Sequence, residues 1–273
     1  MFTRRSLLLI FATVCLLFAH TRPPYQYASS AAGAQNKPDN TFRTIHVFVA
    51  LCDNKHQGIV PVPASLGNGQ EPDANLYWGA RYGVRTYFLQ SKEWKLVAKL
   101  RPDNVVLERL VFKHIHKNYY LIADAYDGRH IRECIEKFLS SAHGMLKDTV
   151  TIGHQSLGVC GSASLLAYIG HDGLMDFTLD KSFIQRDTSR RDLIVLACYS
   201  KHYFGNFLNN ARVQPLVWTT GLMSPEAYTL HDAISGYIAG ESPQQIRARA
   251  ARAYAAYQRC SVRAATNLLV SGW

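Results

Sequence analysis

The sequence predicts an α/β domain with a doubly wound, mostly parallel sheet and helices on both faces, and three observations predict it. Short apolar runs recur at residues 45–51, 119–124, 164–170, 192–198 and 214–219. These runs do not alternate with polar residues, so each reads as a strand buried on both faces. Stretches with helical spacing lie between them, which is the pattern of strands joined by crossover helices. Apolar residues make up 48% of the 273, enough for a substantial core and incompatible with a disordered chain.

The chain begins with a different kind of segment. Arg4 and Arg5 precede an apolar run from Leu7 to Ala19, and small residues follow at Ala28 to Ala34. A basic start, a short apolar core and small residues form a signal-peptide pattern, expected over 1–34. Thr3-Arg4-Arg5-Ser6-Leu7-Leu8 also resembles a twin-arginine export motif. The apolar run is short of the roughly 20 residues of a membrane span. The chain is therefore expected to be exported to the periplasm or beyond, with no stable membrane insertion once the leader is removed. Residues 35–43, with Pro38, read as a linker, and 44–273 as one domain.

Within that domain the first strand is followed by a Gly- and Pro-rich loop over 58–69. A helix is expected over 75–83, ending at Gly83. After the second strand, Asp127 is placed to cap a helix whose Ile131, Cys134, Ile135, Phe138 and Leu139 share one face, with Gly144 at its end. On that spacing Cys134 faces the core. The fifth strand is followed by a helix opening at Ser224-Pro225 and running to about Gly240. Ser242-Pro-Gln-Gln245 is a capping box with proline at the first helical position. The helix behind it carries an apolar face of Ile246, Ala250, Ala253, Tyr254 and Tyr257, with arginines elsewhere.

The net charge of +10 is spread along the chain, with no run of five basic residues. It reads as a solvated surface, and no nucleic-acid partner is expected. Six cysteines are present. Cys15 lies in the leader, which leaves Cys52, Cys134, Cys160, Cys198 and Cys260, an odd number with at least one unpaired thiol. There is no Cys-x-x-Cys and no zinc spacing, so no metal or other cofactor is expected.

In doubly wound sheets ligands gather at the carboxyl ends of the strands, near a change in strand order. Strand three ends in Gly170-His171-Asp172-Gly173, and strand four in Ala197-Cys198-Tyr199. A thiol and an imidazole leaving neighbouring strands at one edge are the parts of an acyl-transfer site. The thiol attacks a carbonyl carbon, and the imidazole moves its proton. The N–H groups of Gly173 and Cys198 are the candidate oxyanion donors. Beside the imidazole, the Cys198 thiol is expected to have a depressed pKa. An acid near the site would favour Lys or Arg at the cleaved position, and Asp53, with Asp176 in reserve, is the candidate.

These residues carry a family resemblance. An apolar block ending in histidine and a later one ending in Ala-Cys is similar to the signature of the caspase-like cysteine peptidase superfamily. Leu216-Val-Trp-Thr219, the helix after Ser224, and Ile238 to Pro243 look like the end of the bacterial CHAT domains of that group. The likeness spans roughly 44–257. It implies a caspase-like fold, a protein or peptide substrate, His171 as catalytic histidine and Cys198 as nucleophile. The sequence departs from the pattern at Asp172, which stands where the family has glycine. It departs again at Leu196, where metacaspase-like relatives carry an acid. Two other readings accompany this one: an inactive caspase-like domain that binds a protein or glycan, and a metal-dependent hydrolase using His171-Asp172.

Overall fold

The computed structural model describes residues 41–273; the expected leader and most of the linker lie outside them. The strands are β1 (Arg43–Ala50), β2 (Trp94–Leu100), β3 (Val106–His114), β4 (Tyr119–Tyr126), β5 (Lys147–Ile152), β6 (Gln155–Cys160), β7 (Leu165–Ile169), β8 (Arg191–Leu196), β9 (Val213–Thr219) and β10 (Leu269–Val270). The helices are α1 (Val84–Gln90), α2 (Ile131–Ala142), α3 (Ser200–Leu208), α4 (Ala227–Ile238), α5 (Pro243–Gln258) and α6 (Val262–Leu268).

Eight strands form one mixed, mostly parallel sheet in the order β10-β9-β8-β7-β1-β4-β3-β2, and β5 and β6 pair separately. The five expected apolar runs are the five parallel strands. β1 pairs with β4 and with β7, β7 with β8, and β8 with β9. β2, β3 and β10 are antiparallel additions at the two edges.

Burial on both faces explains why these strands read as unbroken apolar runs. Ile45, Val47 and Val49 of β1, with Leu51 just after it, enter one core with Phe88 of α1, Ile234 of α4 and Ile246 of α5. The alternate residues Phe48 and Ala50 enter a second core with Phe138 of α2 and Phe204 of α3. Helices therefore cover both faces. Among the described residues no helix is long and apolar enough to cross a membrane.

Several local expectations hold. Cys134 is fully buried on the core face of α2. Ser242 and Gln245 close the capping box of α5 reciprocally, with Pro243 in the first turn. The arginines of α5 are tied into the fold rather than arrayed: Arg249 pairs with Glu241, and Arg247 donates to the carbonyls of Thr266 and Leu269.

Other expectations are corrected. Residues 75–83 form turns, and the helix begins only after Gly83. The Asn75 side chain accepts from the N–H groups of Cys52 and Tyr77 and donates to the Cys52 carbonyl. That local bonding offers the backbone an alternative to a helical ladder. Tyr257, expected on the apolar face of α5, is 42% exposed and stacks on Tyr228. The β2–β3 hairpin, which extends the sheet beyond β4, has no counterpart among the expected strands.

The chain passes from β1 to β4 on one side and then returns across β1 to β7 on the other. The order thus reverses between β1 and β7, and the crevice outside their carboxyl ends is the place for a ligand. At Gly170, φ is +150°, and an added Cβ would lie 2.8 Å from the Ala50 carbonyl. Only glycine lets the two strand ends close up in this way.

Candidate active site

β7 and β8 are paired in register up to Ile169 and Leu196. His171 and Cys198 each stand two residues beyond that last pair, so the same edge of the sheet delivers both. Tyr199, directly after Cys198, is in the left-handed conformation at φ +48° and starts α3. A non-glycine residue held there stores strain at a sharp strand-to-helix turn, a feature concentrated at functional sites.

The imidazole of His171 is 8% exposed, and its Nε2 lies 2.7 Å from Oδ2 of Asp176. The same carboxylate oxygen accepts the N–H of Gly58 at 2.8 Å. Asp176 therefore ties the imidazole to the loop after β1 and leaves Nδ1 as the nitrogen available for other chemistry. The short 3₁₀ turn over 173–175 makes this possible: Asp172 caps it and carries the chain round to Asp176.

Cys198 is half-buried and unpaired, as are all five cysteines among the described residues in the sense that none is disulfide-bonded. Its sulfur contacts the backbone of Met223, accepting from N at 3.4 Å and donating to O at 3.6 Å. Burial pushes the thiol up from its ordinary value, the Met223 backbone partly offsets this, and the charge of Asp172 adds to the rise. The expected depression of this pKa is corrected: the resting thiol is bonded to the segment after β9 and not to His171. Burial also raises Cys52 to about 11 and Cys160 to about 12.

The other candidate residues separate by function. Gly173 is buried at the start of the 3₁₀ turn, where an added Cβ would meet Phe177 and Ile135. Asp53 is buried, and its own surroundings fill it. Oδ1 accepts the N–H groups of Lys55 and His56, and Oδ2 bonds His56 Nδ1 at 2.9 Å and Gln70 Nε2 at 2.6 Å. A carboxylate has about four acceptor sites, so Asp53 keeps none for a substrate. It organises the loop after β1 instead.

Sequence reasoning missed part of this edge. Gln70 bridges Asp53 and Asp127, and Asp127 also holds Arg129. At Gly128 an added Cβ would lie 2.5 Å from the Cβ of Asp53, so the glycine is what lets the β4 end close against the β1 loop. The Gly67-Asn-Gly-Gln70 segment carried that signal as a glycine-rich turn ending in a side-chain amide. Asp176 was placed as a substrate acid, whereas the structure gives it His171. An acid five residues beyond the histidine, across a turn, was the available clue.

Asp172 is the unusual member. It is fully buried, its Oδ1 accepts the Leu174 N–H at 3.1 Å, and its Oδ2 has no hydrogen-bond partner. Burial, aided by the charge of Asp176, pushes its carboxyl up to about 7. Among the described residues no group of three or more His, Cys, Asp or Glu side chains is arranged to hold a metal ion. Comparison of the chain with protein-family models, with curated proteins and with solved structures finds no match.

Proposed function

We propose that the protein is a cysteine hydrolase of caspase-like type, acting on peptide bonds outside the cytoplasm once its leader is removed. The observation that carries this reading is the delivery of His171 and Cys198 to equivalent positions at the carboxyl ends of adjacent parallel strands, with His171 already oriented by Asp176. An orienter, an imidazole and a thiol in that order are the parts of a catalytic triad.

The chemistry follows from those parts. With a peptide seated, the thiol proton moves to Nδ1 of His171, and the sulfur attacks the carbonyl carbon. The carbonyl electrons move onto oxygen, where the N–H groups of Cys198 and Gly173 are the donors assigned to it. As the tetrahedral carbon collapses, the C–N bond breaks and the imidazolium protonates the leaving amine. Water then attacks the thioester with His171 as base, releasing the acid and restoring the thiol. Asp176, hydrogen-bonded to Nε2, fixes the tautomer that makes Nδ1 the acceptor. A substrate backbone replaces the Met223 contact at the sulfur.

That Met223 contact favours one other reading, an inactive relative that uses the same edge to bind a protein. Incubation with a peptide library separates the two. The hydrolase yields new peptide termini by mass spectrometry with wild type and none with Cys198→Ala. The binding domain yields none with either.

A further inference from the structure

We propose that Asp172 receives a cationic group, a guanidinium or a primary ammonium, from the residue whose carbonyl is presented to Cys198; this rests on reading Cys198 as the nucleophile. The case begins with which acids at this edge still have an acceptor to offer. Asp53 is filled by Lys55, His56 and Gln70. Asp127 is filled by Gln70 and Arg129. Oδ2 of Asp176 is held by His171 and Gly58. Asp172 is the aspartate of the four whose buried Oδ2 has no partner.

A buried carboxyl oxygen without a partner is costly, and such groups are rare unless they serve a purpose. No basic side chain offsets this one. Its surroundings are burial, one backbone N–H and the like charge of Asp176. A ligand cation would complete the site.

Position makes that cation part of a substrate. Asp172 follows His171 directly, and its charge bears on the Cys198 thiol from the next strand. A side chain anchored at Asp172 therefore has its own backbone near the sulfur. Apolar side chains adjoining these residues in the chain are exposed: Met175 in the following turn, Tyr199 beside Cys198 and Leu222 beside Met223 are 40%, 39% and 67% exposed. The aliphatic stem of Lys or Arg packs on apolar surface of this kind while its charged end seeks a partner.

The charge balance is explicit. With a carboxyl near 7, part of the free protein carries Asp172 as the neutral acid. On binding a cation the acid loses its proton to solvent, and the carboxylate pairs with the ligand. Affinity for a cation therefore rises with pH and levels once the carboxyl is ionised in the free protein. Affinity scales with the fraction in the competent form, so a gain of about tenfold or more is expected between pH 5.5 and pH 8. The titratable groups whose charge couples to Asp172 are Asp176 from the adjoining turn, Tyr168 of β7 and Cys198 beyond β8.

The test is calorimetric titration of the full-length exported protein carrying Cys198→Ala, which cannot turn substrate over. The probes are Nα-acetyl-arginine amide and the neutral Nα-acetyl-norleucine amide. The expected results are binding of the arginine probe only, at least about tenfold tighter at pH 8 than at pH 5.5, and lost on adding Asp172→Asn. The pH dependence is read with Asp172 intact, so it stands even if that variant fails to fold. Equal binding of the two probes, pH-independent binding, or undiminished binding by a folded Asp172→Asn protein would overturn the inference. Failure of the hydrolase reading looks different: arginine binds selectively, yet wild type cleaves no peptide. Cleavage after neutral residues, unchanged by Asp172→Asn, would keep the hydrolase and remove the cation site.

Discussion

Nε2 of His171 is bonded to Oδ2 of Asp176 at 2.7 Å, so the imidazole is oriented by an acid only five residues further along the chain. The arrangement depends on one turn, capped by Asp172 and packed under Phe177. On the proposed reading Asp176 is a positioning residue, acting on the reaction through the ring of His171.

Asp176→Ala is expected to lower turnover by about 10²-fold, the usual scale for disabling a general acid or base. Its characteristic readout is the imidazole tautomer. In ¹⁵N spectra at neutral pH the wild-type ring should carry its proton on Nε2, and the variant should show a mixture. An unchanged tautomer with unchanged turnover would remove Asp176 from this role.

The resting thiol predicts an unusual alkylation pattern. Burial raises the Cys198 pKa and favours the neutral form, so iodoacetamide at pH 7 should modify it more slowly than a free cysteine. Exposed Cys260 should react before it. The rate at Cys198 should climb as pH rises through and above the ordinary thiol range. His171→Ala should leave this resting rate nearly unchanged, because Met223 and not the imidazole contacts the sulfur. Peptide mapping after timed alkylation reads each site separately, and Cys198 reacting first at pH 7 would contradict the assignment.

Asp172 gives a stability prediction with a definite sign. Its carboxyl stands at about 7 in the folded chain against an ordinary 3.8. Between those values the unfolded chain has released the proton while the folded chain retains it. Stability therefore falls as pH rises from about 4 to about 7 and stays low above that. Asp172→Asn removes this effect and should stabilise the protein by up to a few kcal/mol at pH 8, with little gain at pH 4. For a chain of this size that is a melting-temperature rise of several degrees, on the order of 2–4 °C per kcal/mol. Equal melting temperatures of variant and wild type at pH 8 would contradict a strained, unpartnered acid.

A second buried acid behaves in the opposite way. Asp124 on β4 accepts both a bidentate pair from Arg109 of β3 and the Nε2 of His46 on β1. His46 accepts the Cys160 N–H at Nδ1, which fixes the proton on Nε2 and pins the β5–β6 hairpin to the sheet. Arg109 and His46 hold the Asp124 carboxyl well below its ordinary range despite burial. Burial lowers His46, with Asp124 opposing. The neutral histidine favours the fold above its unfolded pKa of about 6.5, and the ionised aspartate favours it above about 4. Stability from this trio is thus lost as pH falls. Arg109→Ala leaves a buried charge without its main partner and should cost about 3–5 kcal/mol in urea denaturation at pH 7. A loss below about 1 kcal/mol would mean water replaces the guanidinium.

The parallel half of the sheet was legible because strands buried on both faces must be apolar at nearly every position. Ile45 to Leu51 and Leu165 to Ile169 carry that signal plainly. The β2–β3 hairpin was not legible because it sits at an edge, where only Trp94 and Leu100 of β2 are buried and Lys95 and Val97 are exposed. The helix expected at 75–83 failed for a tertiary reason, since Asn75 is committed to Cys52. At the site, topology predicted where His171 and Cys198 would emerge. Which acid meets which group was not legible: the choice among Asp53, Asp172 and Asp176 is set by Gln70, Gly58 and the 173–175 turn, whose contacts cross 17, 118 and few residues of chain respectively.

The most direct measurement of the central claim is labelling with a peptidyl acyloxymethyl ketone, in which an attacking thiolate displaces the carboxylate and forms a thioether. The account predicts a single adduct on wild type, mapped to Cys198, absent in Cys198→Ala and slowed by about 10²-fold in His171→Ala. Labelling confined to the exposed Cys260, or labelling of Cys198 at the same rate without His171, would contradict it.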